Sequence, residues 1–381
     1  MQLAVLEGFY GRTWSFEQRH FLLSLLATDF LGLYSANVAP VLPVKHYCYA
    51  PKADRKLRQD WQQCWAEHEY TEIARLARFA GDNQLEFSLG FSPLGLYELW
   101  TGSHSEKQAA QQSIIKRLDE FATLKISALG LFFDDMIGDK PDLASVQAEI
   151  TAFIQVYLHE INFSIDLYFC PSYYSFDPVL EELFGKMPTN YWQDLGKLLP
   201  DDVAVFWTGD KVISSSYPEQ SVKPIAQCFQ RPITLWDNSC VHDGKISAKF
   251  LPIKSGPKVL ALQNNALLAG IWFNPANAFS IAVLSLLGML AKDEFNSLLA
   301  TISEPLAIFF NHYQDLFLEQ GIDAISFEQK QRLKESFDVA ITEARLSASH
   351  NFALMRWLDF LVCDMKTWLE MGFDFDPACL T

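Results

Sequence analysis

Short, mostly apolar runs alternate along this chain with longer stretches in which apolar residues return every third or fourth position. A run of that length suits a strand buried on both faces, and the three-to-four spacing suits an amphipathic helix. Strand-like runs fall at residues 3–9, 46–49, 85–91, 128–133, 165–170, 203–207, 233–236 and 268–273, with helix-like stretches between most of them. Residues 15–26 are expected to form a helix capped by Ser15. Residues 69–81 are expected to form another, with Ile73, Leu76, Ala77 and Ala80 on one face and Gly81 at its end. Eight strand–helix units over roughly the first 290 residues have the period of a (β/α)8 TIM barrel, so the fold class expected is α/β, with the barrel at 1–292.

Beyond residue 292 the pattern is helical, as at 306–318 and 327–360, and no strand-like run occurs, which predicts a small all-α domain at 293–381. Pro305 and Gly321 punctuate it. Its aromatic residues, Phe309, Tyr313, Phe317, Trp357, Phe360 and Trp368, are spaced as packing residues. The most apolar stretch, 278–290, is too short and too interrupted by serine to span a bilayer and reads as a buried helix.

Charge narrows the partners. A formal net charge of −16 and a pI near 4.9 argue against an extended nucleic-acid or anionic membrane surface. The seven cysteines, Cys48, Cys64, Cys170, Cys228, Cys240, Cys363 and Cys379, are scattered and include no C-x-x-C, so neither a disulfide framework nor a zinc site is indicated. Without a basic-then-apolar leader pattern at residues 1–10, a cytoplasmic protein is expected. Nothing in the pattern fixes an oligomeric state.

Candidate chemistry gathers where the apolar runs end, because α/β barrels keep their active sites at the carboxyl ends of the strands. Asp134 and Asp135 close the fourth run. Adjacent carboxylates repel, and a folded chain seldom keeps them without a use: acid/base work, a helix cap or a Mg²⁺ site. The other strand ends carry Glu7-Gly-Phe-Tyr-Gly-Arg12, Tyr49-Ala-Pro-Lys52, Cys170-Pro-Ser-Tyr-Tyr174, Trp207-Thr-Gly209, Trp236-Asp-Asn238 with Asp243, and Asn274-Pro275.

As an ordered set, these motifs resemble family 84 of the glycoside hydrolases, the O-GlcNAcase and bacterial hyaluronidase-type N-acetyl-β-glucosaminidases, across almost all of residues 3–290. The resemblance implies a retaining exo-β-N-acetylglucosaminidase in which the acetamido group of the substrate is the nucleophile and an oxazoline the intermediate. Asp134 would orient and polarise the acetamido group. Asp135 would be the general acid and base. The resemblance also implies sugar-hydroxyl contacts from Gly8, Lys52, Asp243 and Asn274, a hydrogen bond from Tyr174 to the acetamido oxygen, support from Asn238, and a methyl pocket lined by Thr208 and Trp236. No metal or organic cofactor is implied, and the expected partner is a GlcNAc-containing glycan or glycopeptide. Paired carboxylates at close range cannot easily both be ionised, which suits a division into acid and anion.

Departures from the family pattern are a long segment at 31–44, Thr13 and Asp210 where proline is common, and Ser172-Tyr173 at variable positions. Two other readings remain at this stage. One is a sensor that binds GlcNAc-bearing ligands without turnover, although binding alone needs only one carboxylate. The other is a Mg²⁺-dependent lyase or phosphohydrolase on Asp134, Asp135 and Asp243, but a phosphate-binding glycine-rich loop near the last strands is not evident.

Overall fold

A computed structural model describes residues 1–33, 42–254, 256–291 and 294–372. The expected domain boundary at 292/293 and most of the 31–44 segment lie outside the described residues. Eight parallel strands close into a barrel: β1 (Gln2–Glu7), β2 (His46–Tyr49), β3 (Glu86–Phe91), β4 (Ala128–Phe132), β5 (Asp166–Cys170), β6 (Ala204–Trp207), β7 (Ile233–Asp237) and β8 (Leu268–Phe273). Each strand pairs with the next in sequence, and β8 returns to β1 with Leu3 opposite Ile271. The α/β barrel expected from the apolar runs is the fold observed, with strand limits within a residue or two of those runs.

The strands hold because their aromatic residues fill the bore. Tyr168 lies 4.4 Å from Trp272, ring centre to ring centre, and Phe206 lies 5.0 Å from Trp272 and 5.5 Å from Trp236. Phe132 completes the stack at 5.1 Å from Trp236. Such edge-on and tilted pairs add to the burial of the rings themselves. Room for Phe132 comes from a glycine on its own strand and one on the neighbouring β3. A methyl group on Gly90 would come within 2.3 Å of the Phe132 ring, and one on Gly130 within 2.2 Å, so neither site accepts even alanine without displacing that ring.

The described residues fall into two compact units. The first combines Met1–Gly8, Lys45–Asn238 and Gln263–Phe273 and contains the whole barrel; the second combines Phe9–Val44, Ser239–Leu262 and the residues from Asn274 onward. In the first unit the helix expected to stop at Gly81 runs from Glu67 to Asp82. Gly81 is simply a helical residue, and Gln84 takes the left-handed conformation, φ 58°, that a terminal glycine was expected to supply.

In the second unit, the helix at Phe16–Ala27 starts at Ser15, whose side chain accepts from the Gln18 N–H. The apolar helix Phe279–Leu290 is buried at every residue. Its first turn is held from the helix Phe352–Met371, where Asp364 accepts from the Ser280 N–H at 2.8 Å and from its hydroxyl at 2.7 Å. Trp357 donates to the Ser280 carbonyl at 3.0 Å, and Trp368 to that of Lys249 at 3.1 Å. These tryptophans therefore pack and tie, as their spacing suggested. Among the described residues no helix is long and apolar enough to cross a membrane.

His242, in the second unit, is buried, and that burial lowers its imidazole from the ordinary 6.5 to about 3. The folded protein keeps it neutral where the unfolded chain would protonate it. Its contribution to stability is full above pH 6.5 and is lost as the pH falls toward 3. Denaturant melts of His242→Phe between pH 6 and pH 4 should therefore show a flatter decline than the parent, by about 1 kcal/mol per pH unit. Parallel declines would mean that His242 does not titrate in this way.

Candidate active site

Strand β4 delivers the carboxylate pair. The Phe133 N–H extends the pairing with β5 by donating to the Cys170 carbonyl at 2.9 Å, and the backbone then turns at Asp134 and Asp135. Asp135 adopts a left-handed conformation, φ 56°. That costs roughly 1 kcal/mol for a residue with a Cβ, and aspartate is among the side chains that bear it best. The turn places the two carboxyl groups against one lysine. Lys52 Nζ is ion-paired with Asp134 Oδ2 and lies 3.8 Å from Asp135 Oδ2.

The remaining two carboxylate oxygens differ. Asp135 Oδ1 accepts a 2.8 Å hydrogen bond from the Tyr174 hydroxyl. Asp134 Oδ1 is buried and has no hydrogen-bond partner among the described residues. A buried carboxylate oxygen without a donor costs free energy, so this one is suited to a donor that a ligand brings. Burial, followed by the charges of Asp135 and Asp134, pushes the Tyr174 phenol well above its usual range and keeps it a hydrogen-bond donor.

Trp236 forms one wall. Lys52 Nζ sits 5.8 Å from the centre of its ring, and Phe132 supports the ring from below. Asn238 fixes the indole: its Oδ1 accepts from Trp236 Nε1 at 2.9 Å and its Nδ2 donates to the Val212 carbonyl at 2.9 Å. Thr208 donates to the Lys211 carbonyl at 3.0 Å, and its N–H bonds the Tyr174 carbonyl at 3.0 Å, tying the loop after β6 to the tyrosine. Gly8 follows β1, with its N–H bonded to the Leu6 carbonyl at 2.9 Å.

The structure thus brings together Lys52, Asp134, Asp135, Tyr174 and Trp236, with Asn238 and Thr208 bracing them. Asp243 and Asn274 belong to the second unit, where both are buried and Asp243 Oδ2 accepts from the Tyr10 N–H at 2.6 Å. Two features were not foreseen from the sequence. Lys52 touches the acid pair itself, and Arg58, six residues later, donates to the backbone carbonyl of Asp135 at 3.1 Å. The run of basic residues after Tyr49-Ala-Pro was the only available signal, and it does not separate Arg58 from the neighbouring surface charges.

Residues 4–292 match the family model of the beta-N-acetylglucosaminidases. The chain belongs to that family. Among known β-N-acetylglucosaminidase relatives, it is 28% identical over 279 residues to the protein O-GlcNAcase of Rattus norvegicus and, to the same extent, to that of Mus musculus. Those matches take in 71% of this chain and 27% of each relative, so the chain spans about a quarter of the length of the curated relatives it matches. The fold is shared with a mutant O-GlcNAc hydrolase of Thermobaculum terrenum, at a TM-score of 0.66 and 22% identity, over 96% of this chain and 82% of that one.

Replacing Lys52 by methionine would leave the buried Asp134 carboxylate without its cation, and breaking a buried pair in that way costs about 3–5 kcal/mol. Urea or guanidinium melts at neutral pH should show Lys52→Met less stable by about that amount. A midpoint equal to the parent's would mean that Lys52 does not balance the pair.

Proposed function

We propose that the chain is a retaining exo-β-N-acetylglucosaminidase, O-GlcNAcase-like, that hydrolyses terminal β-linked GlcNAc with the substrate's own acetamido group as nucleophile. The observation that carries this reading is the unequal pairing of the two carboxylates: Asp134 Oδ1 is buried without a donor, and Asp135 Oδ1 is already bonded to Tyr174. An acetamide N–H is a donor of the kind Asp134 lacks. In accepting it, the carboxylate would draw electron density onto the carbonyl oxygen, which attacks the anomeric carbon.

The bond to the aglycone oxygen breaks as Asp135 gives its proton to that oxygen, leaving an oxazoline ring protonated on nitrogen and hydrogen-bonded there to Asp134. Asp135, now a carboxylate, takes a proton from water. The water oxygen attacks the same carbon, the bond to the oxazoline oxygen breaks, and the acetamide re-forms. Two inversions at one carbon retain its configuration. Because the nucleophile belongs to the substrate, the separation of the two carboxylates carries no stereochemical information here.

Lys52, ion-paired with Asp134 and 3.8 Å from Asp135, supports the mechanism by setting a fixed positive charge against the carboxylate that meets the acetamido group. Tyr174, a donor already beside Asp135, would serve the acetamido oxygen, and the Trp236 face would give the methyl group an apolar wall. Roles for Gly8, Asp243 and Asn274 as partners of the sugar hydroxyls rest on the sequence resemblance. The rat and mouse relatives are named for O-GlcNAc on protein, which makes a GlcNAc-bearing glycopeptide the natural aglycone to try. The six cysteines among the described residues are free thiols, which supports a reducing, cytoplasmic setting.

Hydrolysis of 4-nitrophenyl N-acetyl-β-D-glucosaminide should fall steeply when the acetyl group is trifluorinated, because fluorine weakens the carbonyl nucleophile; the matching glucoside should be inert. Asp134→Asn and Asp135→Asn should each lower kcat by about 10²- to 10⁴-fold. Insensitivity to fluorination, or full turnover in both variants, would sink the proposal; tight GlcNAc binding without any hydrolysis would mark a sensor instead.

A further inference from the structure

Asp135 has an unusual backbone for a group that must aim a proton. Its left-handed φ of 56° fixes the direction of the side chain only as long as the following peptide plane is held. Arg58 holds that plane: its Nη2 donates to the Asp135 carbonyl at 3.1 Å, while its Nη1 donates to Ser92 Oγ at 2.6 Å. The guanidinium is buried, and a planar fork with donors on both terminal nitrogens spans two acceptors without internal freedom. Ser92 directly follows β3, so the fork links the exit of one barrel strand to the exit of the next.

The backbone at Arg58 is also clamped to β3. Ser92 N–H donates to the Leu57 carbonyl at 2.8 Å, and Leu94 N–H to that of Arg58 at 3.2 Å. Elsewhere the loop is pinned independently of the guanidinium. Asp54 accepts from Tyr49 at 3.0 Å and from Trp65 at 2.8 Å, and Trp61 donates to the Leu94 carbonyl at 3.1 Å. Removing the Arg58 side chain therefore leaves those ties in place. The same loop carries Lys52, so a single segment reaches Asp134 and Asp135 through the side chain of one and the main chain of the other.

We propose that Arg58 is a positioning residue for proton transfer: by clamping the Asp135 carbonyl to Ser92 it keeps the carboxyl group pointed at the leaving oxygen. This rests on the reading of Asp135 as the general acid and deepens it. A residue with that task matters most when the leaving group needs its proton. A residue that merely stabilises the loop lowers every rate alike.

The test compares the parent, Asp135→Asn, Arg58→Ala and Arg58→Lys on two aryl N-acetyl-β-D-glucosaminides, 4-nitrophenyl with a good leaving group and 4-methoxyphenyl with a poor one. For Arg58→Ala, kcat on the methoxyphenyl substrate should fall about 100-fold and on the nitrophenyl substrate less than about 10-fold, with KM near the parent's. Arg58→Lys, with one point donor, should recover only part of the loss. Equal losses on both substrates, or none, overturn the proposal. If Asp135→Asn itself shows no bias toward the poor leaving group, the acid assignment fails and takes Arg58 with it. A biased Asp135→Asn beside an unbiased Arg58→Ala overturns the Arg58 role alone. Should Arg58→Ala not fold, Ser92→Ala, which removes only the second anchor of the fork, must show the same bias at smaller size, and parent-like rates there overturn the proposal.

Discussion

Two carboxylates side by side at the rim of an apolar barrel can persist only if something offsets their repulsion, and here that is one buried ammonium group. Lys52 pairs with Asp134 and stands within 4 Å of Asp135. In a low-dielectric surround such an arrangement is favourable only when the remaining oxygens are also dealt with. Tyr174 meets one of them. The last is buried without a donor, so the charge cluster is incomplete at the one oxygen that the proposed mechanism gives to an amide.

Around that cluster, each contributing side chain comes from a different strand exit: Lys52 after β2, the aspartates after β4, Tyr174 after β5, Trp236 from β7. Closure of the barrel is what makes these distant stretches of chain neighbours. The braces are short and mostly neutral. Asn238 holds the indole, Thr208 ties to the backbone of Tyr174, and Arg58 joins the loop after β2 to Asp135. Rigid polar braces of this kind place charges in advance, so that little rearrangement is needed when charge develops on a substrate.

The barrel was legible because its strands are mostly runs of aromatic and aliphatic residues, and because polar residues recur at seven of the eight strand exits. The resemblance of those exits to a known family named the acid pair and its tyrosine. Less could be seen where sequence looks the same for different fates. Arg55 and Arg58 sit three residues apart in one loop, yet Arg55 is exposed and bonded to Asp60 while Arg58 is buried against the main chain of Asp135. Gly81 looked like a helix end and is not one, because Gln84 accepts the left-handed turn three residues later. The resemblance makes Lys52 a sugar-hydroxyl contact, and nothing local in the sequence states that it also meets the carboxylates at the exit of β4.

Phe132 lies across the bore between Gly90 and Gly130 and beneath Trp236, two residues before the first aspartate. The ring is thus both the top of the hydrophobic core and the floor under the site. Evolution of this chain cannot tune the one without disturbing the other: a larger residue at either glycine would tilt the floor, and a smaller one at Phe132 would open a void against Trp236. Thermostabilised descendants would consequently be expected to gain their robustness from the outer helices, leaving these three positions as the part of the barrel with the least freedom to drift.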